Sequence, residues 1–283
     1  MSSQKIRSPG SLLRSRTLFY ATAEAMGCAP TPCSMAKQWH QIRQWNDSLS
    51  LWKRLRRGLP LGAANQSLLF DHFPQLRQLF ENPLFTLDPK VNEWDDLAET
   101  ICIGGKPLGS YYGKLSELLC DRVDWPCLPV HLVLLQTQGT RFQAHRMWLE
   151  ANLVAMAGLC RLQRPISNVR HELDALLFSA LFGTSPASHV KCQSCLARWM
   201  PVEELFNHLQ RGQWLHADDQ QLALLIWNFR EELQRELDIG PHRLLSETKS
   251  GLPRSLRKKW CRKCAQWRDH PVQLNGFCCE YAH

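Results

Sequence analysis

Apolar residues recur at helical spacing along most of the chain, and few stretches alternate as a strand would. The pattern predicts a first helix over 12–26, after a basic tail of about nine residues. The stretch 27–33, GCAPTPC, breaks it. Residues 35–57 then read as one amphipathic helix, with Trp39, Ile42, Leu49, Trp52 and Leu55 on a single stripe. Lys53, Arg54, Arg56 and Arg57 end it. They suit the negative end of a helix, either as a solvated end or as phosphate contacts. Gly58, Pro60 and Gly62 stop this segment. A helix or two follow over 67–80, interrupted at Pro74, and loops are expected at 82–83 and 88–89.

Residues 94–101 have a helix-like pattern with acids in the first turn. Gly104, Gly105 and Pro107 form a tight connection, and 108–119 read as a second helix with Tyr112, Leu115, Leu118 and Leu119 facing inward. Two short helices joined by a glycine turn are the outline of a helix-turn-helix. In that motif the start of the second helix enters the major groove, which here would present Ser110, Tyr111 and Lys114. A plain helical hairpin of an all-α protein has the same outline. Residues 130–135 are the best strand candidate, though they read better as a buried helix start.

Helical patterns cover 141–162, with Phe142, His145, Leu149, Leu153 and Met156 on one face, and 167–182, with Val169, Leu173, Leu176 and Leu177. His145 and His171 read as satisfied core or surface histidines rather than catalytic bases. A short helix is expected at 201–209. A longer one at 218–237 has Leu222, Leu225, Ile226, Phe229 and Leu233 on its inner face. The tail 278–283 is too short for a domain and is a candidate to fold back on what precedes it.

Composition adds a polyanion. The net charge is +8 in 283 residues, which favours nucleic acid as a partner. With 44% hydrophobic and 21% charged residues, most of the chain should be globular. No signal-peptide pattern opens it, and no run nears the roughly 18 apolar residues of a membrane span. The 12 cysteines therefore read as reduced thiols of a cytoplasmic protein. Cys102, Cys120, Cys127 and Cys160 sit in apolar stretches and read as buried hydrophobes.

The candidate chemistry lies between two CxxC pairs, Cys192/Cys195 and Cys261/Cys264. Each pair can turn two sulfurs to one metal, and four thiolates complete a structural zinc site with no open position. The gap between pairs is 65 residues, whereas a zinc ribbon has roughly 15–20, so the insert must carry its own fold. The alternatives are two unrelated pairs, or one pair completed by His189, Cys278, Cys279 or His283. Cys28 and Cys33 form a further half-site candidate. Residues 249–263 are the most basic window. They hold Lys249, Arg254, Arg257, Lys258, Lys259, Arg262 and Lys263 with no acid between them, and Trp260 stands in their midst. A basic run fixed to a metal knuckle can present several cations to one phosphate backbone; a solvated basic loop is the plainer reading.

Phosphate-cradling glycine loops, HExxH, GxSxG and the deaminase pattern are not found, so no catalytic residue and no small-molecule substrate are expected. The order of a helix pair over 97–119, a packing helix over 141–158 and the Cys192-Gln-Ser-Cys195 knuckle resembles the FlhC family, zinc-binding transcriptional activators of bacterial flagellar operons. The resemblance covers about 95–198. It implies a zinc site completed by Cys261 and Cys264, promoter DNA binding, a FlhD-like partner subunit and recruitment of RNA polymerase. The insert between the pairs is longer here, and about 90 residues precede the helix pair. The compact cysteine-knuckle subunit of type IV CRISPR ribonucleoprotein complexes is the competing resemblance, and a structural adaptor is the third.

The expectation is a mainly α, multi-helical protein in three regions. These are an N-terminal helical region (1–90), a central region with the helix-turn-helix-like pair (91–186) and a cysteine-rich, zinc-stabilised basic module (187–283). It would bind nucleic acid without catalysis, DNA in gene regulation being favoured over RNA, with protein partner subunits and no membrane. The metal ligands would be Cys192, Cys195, Cys261 and Cys264. The nucleic-acid contacts would be Ser110, Tyr111, Lys114, Arg254, Arg257, Lys258, Lys259 and Lys263.

Overall fold

A computed structural model describes residues 8–43, 48–87, 93–109, 113–181, 206–207, 209–210, 219–239 and 254–279. These are predominantly helical, with one small four-stranded sheet. They belong to two compact units, Met1–Val91 with Arg164–Thr184 and Tyr281–His283, and Asn92–Gln163 with Ser185–Glu280. The three regions expected from the sequence are thus regrouped. The 164–184 segment joins the N-terminal unit, and most of the central and C-terminal regions form the second.

In the first unit, helix α1 (Pro9–Ala25) begins where the sequence reading placed a tail. Ser8 accepts the Ser11 N–H at 3.3 Å and Pro9 takes the first helical position, where its missing N–H costs nothing. Leu13, Thr17, Leu18 and Ala21 are buried. Helices α2 (Pro32–Arg43) and α3 (Leu49–Arg56) replace the single helix expected over 35–57. Trp39 and Trp52 meet edge to face at 5.8 Å, and both are buried, while Ile42 is exposed. α4 (Ala63–His72) and α5 (Gln75–Phe80) flank Pro74 as expected. A 3-10 turn, Pro83–Phe85, follows.

In the second unit, α6 (Trp94–Glu99) leads to strands β1 (Cys102–Ile103) and β2 (Lys106–Pro107), then α7 (Lys114–Cys120). The glycine connection between the two expected helices is therefore a β-hairpin. Gly104 and Gly105 take φ of +58° and +73°, the pair of positive angles that a two-residue hairpin turn requires. Far along the chain, β3 (Val272–Leu274) and β4 (Phe277–Cys278) turn through Asn275 and Gly276 at φ of +48° and +77°. The two hairpins join in the order β2-β1-β3-β4, all antiparallel, with Cys102 opposite Gln273 and Gln273 opposite Cys278. Ile103, Val272 and Leu274 face the core. This pairing is why the central and C-terminal regions are one body.

Helix α8 (Leu128–Gln136) is buried over seven consecutive residues, so the strand candidate is a core helix. It packs on α6 and α9 (Gln143–Cys160), whose inner face holds His145, Leu149, Leu153 and Met156 as expected, with Phe142 buried at its N-cap. α10 (Arg170–Leu181) returns to the first unit and packs on α1. α11 (Asp219–Ile239) is kinked at Phe229, and α12 (Arg254–Asp269) carries the basic window. No helix among the described residues is long and apolar enough to cross a membrane.

Candidate nucleic-acid interface and metal half-site

From Arg254 on, the basic window is a helix rather than a loop, and Lys249 lies outside the described residues. Leu256, Trp260 and Trp267 recur four and seven residues apart and are buried. Trp260 meets Trp267 edge to face at 5.5 Å and Phe229 of α11 at 6.4 Å. These apolar anchors fix the helix's rotation and leave most of the intervening cations facing solvent. Arg257, Lys258, Lys259, Arg262 and Arg268 are exposed. Across α12 seven cations accompany one acid, Asp269.

The predicted contacts separate on this helix. Lys258 and Arg262 pair with no carboxylate among the described residues. Lys259 reaches Glu232 of α11 at 3.3 Å, an exposed pair that solvent screens. Lys263 is turned inward and donates to the Asp121 carboxylate at the end of α7. Burial raises the Asp121 pKa, and the Lys263 ammonium works against that rise. Lys263 is thus committed within the fold. Arg254 opens the helix, and its side chain lies outside the described residues.

The helix-turn-helix candidates fare differently. Ser110 and Tyr111 lie outside the described residues. Lys114 is the first residue of α7 and is exposed; Glu117, one turn on, is the helix's other fully exposed side chain. The rest of α7 is held from several sides. Ser116 Oγ and His145 Nε2 are hydrogen-bonded at 3.1 Å in the core. Trp227 Nε1 donates to the Cys120 carbonyl at 2.9 Å, and Asn228 Nδ2 to that of Asp121 at 3.1 Å. The partner helix α6 is also engaged, since Asp95 accepts the N–H groups of Gln138 and Gly139 at 2.9 Å each.

Below α12 lies a buried polar cluster that sequence reasoning missed. The Arg122 guanidinium grips Asp124 through two bonds, 2.9 and 2.7 Å long, and both side chains are almost wholly buried. Gln220 of α11 donates to the same carboxylate at 2.8 Å, and Arg122 lies 6.0 Å from the Trp267 ring. Burial pushes the Asp124 carboxyl up, but the charge and hydrogen bonds of Arg122 more than offset it, leaving its pKa below the ordinary value. His131 Nε2 donates to the Arg122 carbonyl at 2.7 Å, and burial holds its pKa near 4. Cys127, Cys160 and Cys279 are buried here, with burial raising the Cys127 and Cys160 thiols well above their usual range. The alternation Arg122-Val-Asp124 was the only trace of this cluster in the sequence.

The second CxxC pair sits within α12. A spacing of three puts Cys261 and Cys264 on neighbouring positions of one helix face. Cys261 is exposed and Cys264 half-buried. The Cys264 thiol is pushed up to about 11, first by burial and then by the Cys261 thiol beside it. Two neighbouring sulfurs, one open to solvent, fit half of a tetrahedral thiolate site. Cys192, Cys195, His189 and His283 lie outside the described residues, and among those described no three His, Cys, Asp or Glu side chains converge as a metal site. Cys278 is half-buried and Cys279 buried. Cys28 and Cys33 are free thiols near the start of α2.

No protein-family model, curated protein or solved structure matches the chain.

Proposed function

We propose that this chain is a non-catalytic nucleic-acid-binding protein that uses the exposed face of α12 to hold a phosphate backbone. The observation that carries this reading is a helix whose indoles are buried and whose Lys258 and Arg262 remain exposed with no carboxylate partner among the described residues. Cations presented from a fixed helix meet successive phosphates without an ordering cost for the backbone. Such contacts add affinity and salt dependence but read no sequence. Duplex DNA in a regulatory setting, with partner subunits, is the form favoured by the resemblance over 95–198.

The zinc belongs to the same proposal. Cys261 and Cys264 would supply two thiolates, and Cys192 and Cys195 the others. Binding would stabilise the module holding the basic helix and would release protons as the thiols ionise. The exposure of Cys261 on the cationic face of α12 supports this placement.

The test is fluorescence anisotropy of the full chain with duplex DNA and with RNA, at several salt concentrations. Lys258→Glu with Arg262→Glu should weaken binding about tenfold or more and flatten the log–log salt slope by about 2. RNA held more tightly than DNA at every salt would turn the reading towards a ribonucleoprotein. No binding to either would refute it and leave an adaptor. For the metal, native mass spectrometry should show one zinc per chain, lost in Cys261→Ser.

A further inference from the structure

The first unit carries a basic face that the reading above leaves unused. Lys53, Arg54, Arg56 and Arg57 are all exposed at the end of α3. A cation at a helix C-terminus ordinarily has a structural use, because it can donate to the last free carbonyls. Here the backbone already serves the carbonyls of Lys53, Arg54 and Leu55. Leu59 N–H donates to the Arg54 carbonyl at 3.0 Å and Gly58 N–H to that of Leu55 at 2.9 Å, the paired bonds of a Schellman cap. Arg57 N–H donates to the carbonyls of Lys53 and Arg54. The cap is rigid, because Gly58 takes φ of +77° and a Cβ there would lie 2.1 Å from Leu12 Cδ1. The cations are therefore not needed to close the helix.

Three of them also lack a partner charge among the described residues. Lys53, Arg54 and Arg56 pair with no carboxylate among the described residues. Over residues 25–70 the chain holds six Lys or Arg and one carboxylate, Asp47. Lys53 lies three residues from Arg56, and Arg54 three from Arg57, so like charges are neighbours on the helix surface and repel. Trp52 and Leu55, the apolar residues between them, are fully buried. A helix lying in a membrane interface needs an exposed apolar face, and α3 has none to offer. Exposed cations on a fixed helix end match the spaced charges of a phosphate backbone instead.

We infer that the α3 face is a second phosphate-contacting surface for the same nucleic acid. The inference rests on the function proposed for α12, and the two faces are tested separately in the full chain. The triple variant Lys53→Glu, Arg54→Glu, Arg56→Glu should lower affinity for a long duplex about tenfold and flatten the salt slope by about 2 to 3. The corresponding glutamine variant should act in the same direction, and it replaces the first if circular dichroism shows a fold defect. Wild-type affinity and slope in both α3 variants, beside a weakened α12 variant, would overturn the inference and leave the α12 reading standing. Loss in the α3 variants alone would support the α3 face and remove α12. A wild-type chain that binds no nucleic acid would remove both. Capture on anionic vesicles that the α3 variants lose, with nucleic-acid binding unchanged, would overturn the inference in favour of a lipid surface.

Discussion

Helices α7 and α12 both begin as candidate nucleic-acid readers, yet folding leaves them in opposite conditions. α7 spans Lys114–Cys120; Ser116, the carbonyls at its end and Asp121 just past it are spent internally, on His145, Trp227, Asn228 and Lys263, and only Lys114 and Glu117 are left fully exposed. α12 spans Arg254–Asp269, turns its indoles inward and keeps Lys258 and Arg262 for solvent. The number of polar residues in a segment is therefore a poor guide to binding. What counts is how many stay uncommitted once packing has taken its share.

The largest expected effect comes from the buried anchor behind both helices. Asp124→Ala strands the Arg122 guanidinium in the core. It should cost about 3–5 kcal/mol in stability, measured by urea unfolding. Loss of that size would also loosen α12 through Trp267 and α11 through Gln220. A change below about 1 kcal/mol would mean that the cluster is open to water.

Acid should act on the same side of the unit. Burial lowers the pKa of both His131 and His145 from 6.5 to about 4. Between those values the unfolded chain binds more protons, so the histidines' contribution to stability should fall as pH drops from about 6.5 to about 4 and level off below, where protonation of Asp124, with its lowered pKa, continues the loss. His131 alone should account for about 3 kcal/mol of the fall. Urea midpoints at pH 7 and pH 4.5 measure it, and His131→Asn should remove a share of the pH dependence.

Binding sharpens the contrast directly. Lys114→Ala on α7 should change duplex affinity less than twofold, against tenfold or more for the Lys258→Glu, Arg262→Glu pair. An equal loss from Lys114→Ala, confined to one DNA sequence, would restore α7 as a reader of bases. The smallest effect is expected at Lys263→Met, since that charge is already paired with Asp121. It should cost about 1 kcal/mol of stability or less and leave the salt slope of binding unchanged.

Most helices were legible because a period near 3.6 needs only a dozen residues to declare itself. The inner faces expected for α9, α10 and α11 are buried where the structure describes them, as with Leu149, Leu173 and Leu225. The sheet was not legible, because strands of two or three residues cannot display a period of two. Its turns did carry a signal, since Asn275-Gly276 and Gly104-Gly105 are pairs that two-residue hairpins favour. Gly104-Gly105 was read instead as the joint of a helix pair, and Asn275-Gly276 was given no reading. The start of α1 was likewise visible in Ser8-Pro9, a cap followed by a proline at the first helical position. Of the site, the cations and the Cys261/Cys264 spacing could be read, but their exposure could not.

By itself the sequence determined a mainly helical chain with an excess of cations and paired cysteines, because those properties depend on residue type and short spacing. Only the tertiary structure decided which charges remain outside. Asp121 and Lys263 are 142 residues apart, and Cys102 and Gln273 are cross-strand partners. No local pattern encodes such meetings, because they follow from which apolar surfaces bury one another. The same packing that turns Trp260 and Trp267 inward leaves Lys258 and Arg262 facing solvent.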